Sequence, residues 1–447
     1  MLDFSSLVAG GVFIAVIALI MTEKIHLTVA ALLGSLVLVF AHIMTLGEAV
    51  DYISRGHVTL GLFFGVMVLV RAFEPTNIFA YLATKIVLWS KGRGNYLLLG
   101  IIGITAPICA ILPNATTVTL LAPLIPPLAE EIGVNFVPLI ILMVIVSNSA
   151  GLLTLVGDPA TFIVGDSINM SFFDYLISLS WAGVLAVVTV VVMTPFLFKE
   201  IWHSRFTNFE QLPIPKINHP RVLSLGALIM LFVLLFFIFG DLLPIPLSPA
   251  AVALMGATLA LLLAHQSKID TVQNILRDVD WSTLIFFMSV FVLIGGLEKT
   301  GVISQISVIF ALLLGQNIFL ASLVLVFAVG ALSSVIPNIP LVVAMIPLLK
   351  EYLFNAGLIG GEVLQSSFSG NYPPVVLPLF FAMMFGATLG GNATLVGASA
   401  NIVGAGVAEL HGKTISYGTF LRYGLPIAIA QLTISALYIT IYYLLKS

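Results

Sequence analysis

The chain has 447 residues, of which 60% are hydrophobic and 8% are charged, with a mean hydropathy of +1.17 and a formal net charge of −3. Soluble domains carry about 25% charged residues, so this composition excludes a soluble protein and indicates a polytopic integral membrane protein. No basic run supports nucleic-acid binding, and that class of partner is excluded. The sole cysteine, Cys109, excludes an intrachain disulfide and a cysteine-rich metal site.

At about 20 apolar residues per membrane span, the sequence predicts an all-α fold with ten spans. They lie at residues 6–22, 27–45, 58–73, 137–153, 176–198, 222–240, 248–266, 281–297, 375–391 and 422–445. The first run is followed by Thr22-Glu23-Lys24 and lacks a small-residue cleavage site, so no cleavable signal peptide is expected. Shorter apolar segments at 76–89 and 301–314 are expected to lie at the membrane interface.

Two further apolar stretches, 95–133 and 317–354, are too long for one span each. Pro113-Asn114 interrupts the first at its middle, and Pro337-Asn338 interrupts the second. The first stretch also has charged residues before and after it. We therefore predict two re-entrant hairpins.

Residues 154–160 read Thr-Leu-Val-Gly-Asp-Pro-Ala, and residues 394–400 read Thr-Leu-Val-Gly-Ala-Ser-Ala. Both segments put glycine and helix-capping residues inside long apolar stretches, where lipid cannot satisfy loose backbone groups. They predict two broken helices, at 137–166 and 375–408. Paired breaks in corresponding halves are a pointer to the binding site of a transporter.

The chain is predicted to consist of two repeats. Several pairs of residues lie 224 positions apart: Thr59 and Thr283, Glu74 and Glu298, Pro113 and Pro337, Asn114 and Asn338, and Pro123 and Pro347. Beyond residue 150 the offset becomes 240, because residues 355–374 lengthen a loop in the second half. The predicted boundaries are residues 1–200 for the first repeat and 222–447 for the second.

Residues 201–221 form a basic linker between the repeats. Basic residues predominate in and beside it: Lys199, His203, Arg205, Lys216, His219 and Arg221. The positive-inside rule places this linker in the cytoplasm, and counting spans from it places both termini outside. Five spans per repeat is an odd number, so we predict inverted topology, the arrangement that alternating access uses.

The hairpin tips and helix breaks are expected to meet near the middle of the bilayer and to bind a small solute and a coupling ion. Asn114 and Asn338 can begin the returning half-helices, and Gly157-Asp158-Pro159 reads as a turn, an N-cap and a first helical residue. The candidate binding residues are Asn114, Thr116, Thr117, Gly157, Asp158, Asn338, Asn392, Thr394, Gly397, Ser399 and Asn401. Asp158 is the candidate for coupling to H⁺ or Na⁺, because an ionisable residue inside the membrane is functional by default; capping is its alternative role.

The motif from Gly390 to Asn401 resembles the signature of the ion transporter superfamily, in its branch of arsenite permeases, NhaD-type antiporters and the melanosomal P-protein. Residues 147–159 look like the counterpart of that signature in the first repeat, and Asn114-Ala115-Thr116-Thr117 is similar to a hairpin motif of dicarboxylate/sodium symporters. The resemblance implies a scaffold domain that forms a homodimer and a transport domain that moves as an elevator. Pro113 and Pro337 stand where much of this branch has an acidic residue, which weakens the case for a sodium/proton antiporter.

The leading expectation is therefore a secondary transporter in a bacterial or archaeal cytoplasmic membrane, with proton-coupled arsenite or antimonite efflux as its activity. A sodium/proton antiporter is the second alternative. A di- or tricarboxylate transporter is the third, and the absence of a cationic side chain in the hairpins disfavours it. A passive anion channel would need a polar stripe along a span, and none is present.

No catalytic arrangement, metal-ligand spacing or phosphate-binding loop is present in the sequence. An enzyme is not expected, and neither is a cofactor or a bound metal. ATP-driven transport would require an accessory ATPase subunit. The partners expected are membrane lipid, the transported solute and a second copy of the chain.

Overall fold

In the computed structural model, residues 3–22, 25–206, 212–365 and 368–446 are described. Glu23 and Lys24, residues 207–211 of the predicted linker, and residues 366–367 of the predicted long loop lie outside them. The described residues are helical and contain no strand; Arg93 and Arg205 form an isolated backbone bridge. That bridge places the start of the first predicted hairpin beside the basic linker.

The helices of the first half follow the predicted spans, with short helices between them. Their bounds are α1 Phe4–Met21, α2 Leu27–Phe40, α3 Leu46–Arg55, α4 His57–Arg71, α5 Ile78–Trp89, α6 Gly94–Cys109, α7 Asn114–Leu121, α8 Ile125–Glu131, α9 Phe136–Ala150, α10 Pro159–Ser167, α11 Phe172–Ser178, α12 Ser180–Leu197 and α13 Lys199–Trp202.

The second half contains one longer hairpin limb, α20, and a long final helix. Its bounds are α14 Pro220–Phe239, α15 Pro249–Ser267, α16 Val272–Arg277, α17 Trp281–Lys299, α18 Val302–Leu314, α19 Ile318–Ser333, α20 Asn338–Asn355, α21 Leu377–Gly390, α22 Ser399–Leu410 and α23 Tyr417–Lys446.

Seven helices in the described ranges are long and apolar enough to cross a membrane, fewer than the ten predicted spans. The predicted span 27–45 is too long: α2 ends at Phe40, and the chain turns at His42 with a φ of 56° before α3 begins. Spans 137–153 and 375–391 correspond to α9 and α21, which have 15 and 14 residues. Both are short because each ends where the glycine-containing break begins.

One bundle is built from α1, α2, α3, α4, α14, α15 and α17, in which α4 packs on α15 and α2 on α17. The predicted hairpins and broken helices form the rest. Here the two halves of the chain are interleaved: α10 packs on α20 and α21, whereas α22 packs on α7 and α9. Each broken helix therefore sends its second part against the hairpin of the other half.

Candidate functional site

Four helices begin at the predicted hairpin tips and breaks. Helices α7 and α20 begin at Asn114 and Asn338, each directly after a proline that has no N–H. Helix α10 begins after Asp158, whose side chain accepts a hydrogen bond from Thr161 N at 3.3 Å. The remaining three N-termini, of α7, α20 and α22, have no N-cap side chain bonded to their first turn.

Asp158 lies at the centre of this arrangement and is fully buried. Its Oδ1 accepts from Asn114 Nδ2 at 3.1 Å and from Asn338 Nδ2 at 3.2 Å. Its Oδ2 accepts from Thr161 N and from Thr388 Oγ1, which is 3.1 Å away. The carboxylate thus contacts both hairpin tips and the second broken helix, and the four donors compensate for the loss of water.

Asn148 forms a second junction between the two halves. Its Oδ1 accepts from Asn114 Nδ2 at 3.0 Å, and its Nδ2 donates to Asn392 Oδ1 at 3.1 Å and to Asn401 Oδ1 at 2.8 Å. Asn401 Nδ2 in turn donates to the carbonyl oxygens of Gly391 and Thr394, 2.8 and 2.7 Å away. Because a carbonyl only accepts, these contacts determine which way the amides of Asn401 and Asn148 point.

Gln431 on α23 extends this network toward α12. Its Oε1 accepts from Asn392 Nδ2 at 2.9 Å, and its Nε2 donates to Ser149 Oγ and to the Ala186 carbonyl. All of these side chains are buried. Buried polar groups are expensive unless bonded, so the network holds α9, α12, α21 and α23 in one arrangement.

Matching contacts occur in the two halves at the offsets of 224 and 240 positions. Cys109 Sγ donates to the Ser147 carbonyl, and Ser333 Oγ donates to the Ala387 carbonyl. Thr154 Oγ1 bonds the Ala110 carbonyl, and Thr394 Oγ1 bonds the Ser334 carbonyl. The predicted pairing of residues is thus repeated in their contacts, while the inverted orientation stays a prediction.

The break glycines are required by close backbone packing. A Cβ on Gly157 would lie 2.7 Å from the Cys109 carbonyl oxygen, and one on Gly397 would lie 2.6 Å from that of Gly391. Real side chains essentially never approach so closely. Gly157 and Gly397 therefore allow each break to lie against a hairpin.

The predicted site residues do not all lie in one place. Asn114, Asp158, Asn338, Asn392 and Asn401 meet in the buried network. Thr117 is buried, and its hydroxyl lies 3.5 Å from the Leu112 carbonyl and also interacts with Cys109, while Thr394 bonds the second hairpin as described. Thr116 and Ser399 face elsewhere.

Thr116 and Ser399 line a cavity of about 430 Å³ between the hairpin region and the other bundle. Arg71, Glu74 and Asp278 lie on the opposite wall. Arg71 pairs with both acids, and its hydrogen bond, with that of Arg277, lowers the pKa of Asp278. The prediction concerned cationic side chains in the hairpins; Arg71 lies in α4, a span distant in sequence, and brings a cationic side chain to this cavity.

Sequence reasoning missed Asn148, Ser149, Thr161, Thr388 and Gln431 as site residues. Asn148 and Thr388 are 240 positions apart, as are Thr161 and Asn401. These offsets were a usable signal, as was the polar run 147–149 at the end of an apolar span. Gln431 had a weaker signal, an amide in an apolar span.

The described residues contain no group of three or more His, Cys, Asp or Glu side chains that could hold a metal ion. The network consists of amides and hydroxyls around one carboxylate. Such a set can take up and release a proton at one position and can bind oxygen-rich solutes through N–H and O–H donors.

Comparison with known proteins adds three findings. Residues 17–369 match the family described as "Citrate transporter". The chain is 67% identical over 437 residues to an uncharacterised transporter of Synechocystis, covering 98% of this chain and 97% of that protein. It is 30% identical over 526 residues to the human P protein, covering 97% of this chain and 59% of the P protein.

Among solved structures, the YdaH transporter of Alcanivorax borkumensis has a similar fold. Its TM-score is 0.59 at 13% sequence identity, and the match covers 88% of this chain and 87% of that chain. At this identity the likeness concerns the fold alone.

Proposed function

The chain belongs to the citrate transporter family within the ion transporter superfamily, and from this membership we propose that it carries a small oxygen-rich anion, with a carboxylate as first candidate, in exchange for protons bound at Asp158. It is a membrane transporter and not an enzyme. The observation that carries the proposal is that one buried carboxylate contacts the tips of both predicted hairpins.

An anion suits the helix N-termini of the site. Helix α22 begins without an N-cap side chain bonded to its first turn, and its Ser399 lines the cavity together with Thr116 of α7. In α7 the N–H groups of Asn114 and Ala115 are already bonded, to the Gly157 carbonyl and to Asn114 Oδ1. Uncapped N–H groups and the positive end of the helix dipole attract anions. Together with the family description, these N–H groups make a carboxylate the first candidate substrate and arsenite the second.

Proton binding at Asp158 supplies the coupling. Protonation removes the charge to which Asn114 and Asn338 donate, so it weakens the attachment of both hairpin tips at once. A hairpin whose tip is held by the ionised carboxylate opens only after Asp158 is protonated. The alternating access proposed here moves the hairpin region past the other bundle, as an elevator, in a homodimer.

Arsenite efflux is the second candidate. Arsenite is a neutral trihydroxy solute near neutral pH, and the amide and hydroxyl groups of the network bind such a solute without any charged partner. The same coupling at Asp158 serves this candidate.

The test uses purified protein in liposomes with imposed proton or sodium gradients. We expect a proton gradient to drive accumulation of labelled citrate, and Asp158→Asn to abolish the response to that gradient. The matched control is Asp166→Asn, an exposed carboxylate on the same helix, which should leave transport unchanged.

Other outcomes discriminate among the alternatives. Movement of arsenite but not citrate favours the second candidate, and sodium flux alone favours an antiporter. Non-saturable downhill flux of many anions favours a channel. Flux that ignores both gradients would rule out coupled transport.

A further inference from the structure

The two oxygens of the Asp158 carboxylate have different surroundings. Oδ1 is contacted by the side-chain nitrogens of Asn114 and Asn338. Oδ2 lies near two hydroxyls, Thr388 Oγ1 at 3.1 Å and Thr161 Oγ1 at 3.5 Å. These two hydroxyls are 3.4 Å from each other, and either one can donate to the other.

With the amides oriented as they are, only the Oδ2 side of the carboxylate offers acceptors for the hydrogen of a protonated acid. An amide or backbone N–H donates but does not accept, whereas a hydroxyl does both. Asn114 cannot turn over freely, because its Oδ1 already accepts from Ala115 N at 2.8 Å. As arranged, the acceptors for an acid hydrogen are the two threonine hydroxyls.

We propose that Thr161 and Thr388 are the positioning residues for the coupled proton, receiving the hydrogen bond of protonated Asp158 on its Oδ2 side. This inference rests on the proposed function, in which Asp158 takes up a proton. In the step, hydronium gives a proton to Oδ2 and becomes water: one O–H bond of hydronium breaks, an O–H bond to Oδ2 forms, and the carboxylate becomes a neutral acid. The new O–H then donates to Thr388 Oγ1, whose own hydrogen turns toward Thr161 Oγ1.

The second half of the chain supports this role by contrast. The positions that correspond to Asp158, Thr161 and Thr388 at the 240-residue offset are Ala398, Asn401 and Asn148. Where the carboxyl is missing, the hydroxyl pair is replaced by an amide pair, which bonds directly at 2.8 Å. Hydroxyls thus lie beside the ionisable carboxyl in one half of the chain. In the other half, amides occupy the equivalent positions and no ionisable group stands between them.

Few other titratable groups affect Asp158. Cys109 and Tyr175 interact with it electrostatically, and each is a neutral donor to a backbone carbonyl, of Ser147 and Leu152 respectively. On the elements packed against α10, the groups that contact the carboxyl are Asn338 on α20 and Thr388 on α21. The balance between amide donors and hydroxyl acceptors therefore governs protonation at this position.

The experiment measures the infrared band of the protonated carboxyl during a pH titration of the reconstituted protein, with Asp158→Asn to assign the band. We expect Asn338→Ala, which removes a donor to the ionised form, to shift the midpoint by about one pH unit toward alkali, a rise of about tenfold in proton affinity. The double variant Thr161→Val/Thr388→Val removes donors to the ionised form and also the acceptors for the acid hydrogen, so its midpoint should move less than that of Asn338→Ala. Hydroxyls that acted only as donors would shift the midpoint at least as far.

Two controls accompany the test. Thr161→Ser/Thr388→Ser keeps both hydroxyls and should keep the midpoint. Thr105→Val removes a buried hydroxyl that has no hydrogen-bond partner among the described residues, and should also leave it unchanged. Together they exclude a general effect of losing buried hydroxyls.

A shift of the valine pair toward alkaline pH as large as that of Asn338→Ala would overturn the proposal, because the hydroxyls would then act only as donors. A shift of Asn338→Ala toward acid would overturn it too, and would assign the acceptor to Asn338 with its amide turned over. The proposed function fails separately, if no Asp158 band appears or if wild-type flux ignores the proton gradient.

Discussion

A buried carboxylate costs several kcal/mol unless its charge is matched, and Asp158 is fully buried with no cationic partner among the described residues. Its charge is matched by hydrogen bonds alone, from three different parts of the chain. Each bond to a charged group contributes about 1.5–3 kcal/mol. The strength of the hydrogen bonds around Asp158 therefore depends on its charge. Removing one of their donors should lower the transport rate more than the stability of the fold.

Replacing Asn114 or Asn338 by alanine should lower transport about ten- to one-hundredfold, which corresponds to the loss of one such bond, and Asn392→Ala, whose partners are neutral, should lower it less. The physical reason is that a donor to Asp158, or a partner of Asn148, is removed while the apolar packing stays. The measurement is initial uptake into liposomes at matched protein content. Asn218→Ala, at an exposed position, is the control; normal uptake in all three variants would place the site elsewhere.

At the scale of the elements, the two broken helices depend on glycine at the point of closest backbone approach. A Cβ at Gly397 would meet the carbonyl oxygens of Gly391 and Ser333 at 2.6 and 2.9 Å. The break and the second hairpin would have to separate to admit it. Because Gly397 and Gly157 make equivalent contacts, the same argument applies to the first half.

We therefore expect Gly397→Ala to destabilise the protein by about 1–3 kcal/mol, as overpacking does. Gly406→Ala is the matched control, since a Cβ there meets nothing within 4 Å and the residue lies in α22, the helix that follows the break. It should stabilise the protein by about 0.5–1 kcal/mol, because alanine is the better helix former. Thermal unfolding in detergent measures both, and equal stability of the two variants would contradict the packing argument.

At the scale of the whole molecule, the cavity beside Thr116 opens where the ends of α2, α4 and α17 meet, near Arg71. Ser54, near the end of α3, lies at the other end of α4 and α17, where Arg55 pairs with Glu298. The charge pattern assigns the first end to the cytoplasm and the second to the outside. The two ends can be distinguished because the native cysteine, Cys109, is buried.

Thr119→Cys, on the cavity wall, should react with a membrane-impermeant thiol reagent only from the cytoplasmic side, and Ser54→Cys only from outside. Both threonine and serine are exposed in the structure. The readout is labelling of inside-out and right-side-out vesicles, with the wild-type protein as the unlabelled control. Reversed labelling of the two variants would invert the predicted topology and place the termini inside.

The sequence by itself determined the class of the molecule and the identity of its central group. Long apolar runs can form only helices in lipid, so the spans and the interruptions at Asn114, Asp158, Asn338 and Gly397 were readable from composition and spacing. The repeat offsets paired those interruptions. None of this required knowledge of which helix packs on which.

Tertiary structure decided which groups touch. Helix α10 packs against the second hairpin and α22 against the first, and this interleaving brings Asn338 and Thr388 to Asp158 from about 200 residues away in the chain. Arg71 and Gln431 reach the site region in the same way, from spans without any local motif. Hydrophobic periodicity is blind to such contacts, because helices that are buried on several sides carry no preferred face. The partners of the carboxylate are therefore a property of the packing, whereas the carboxylate itself is a property of the sequence.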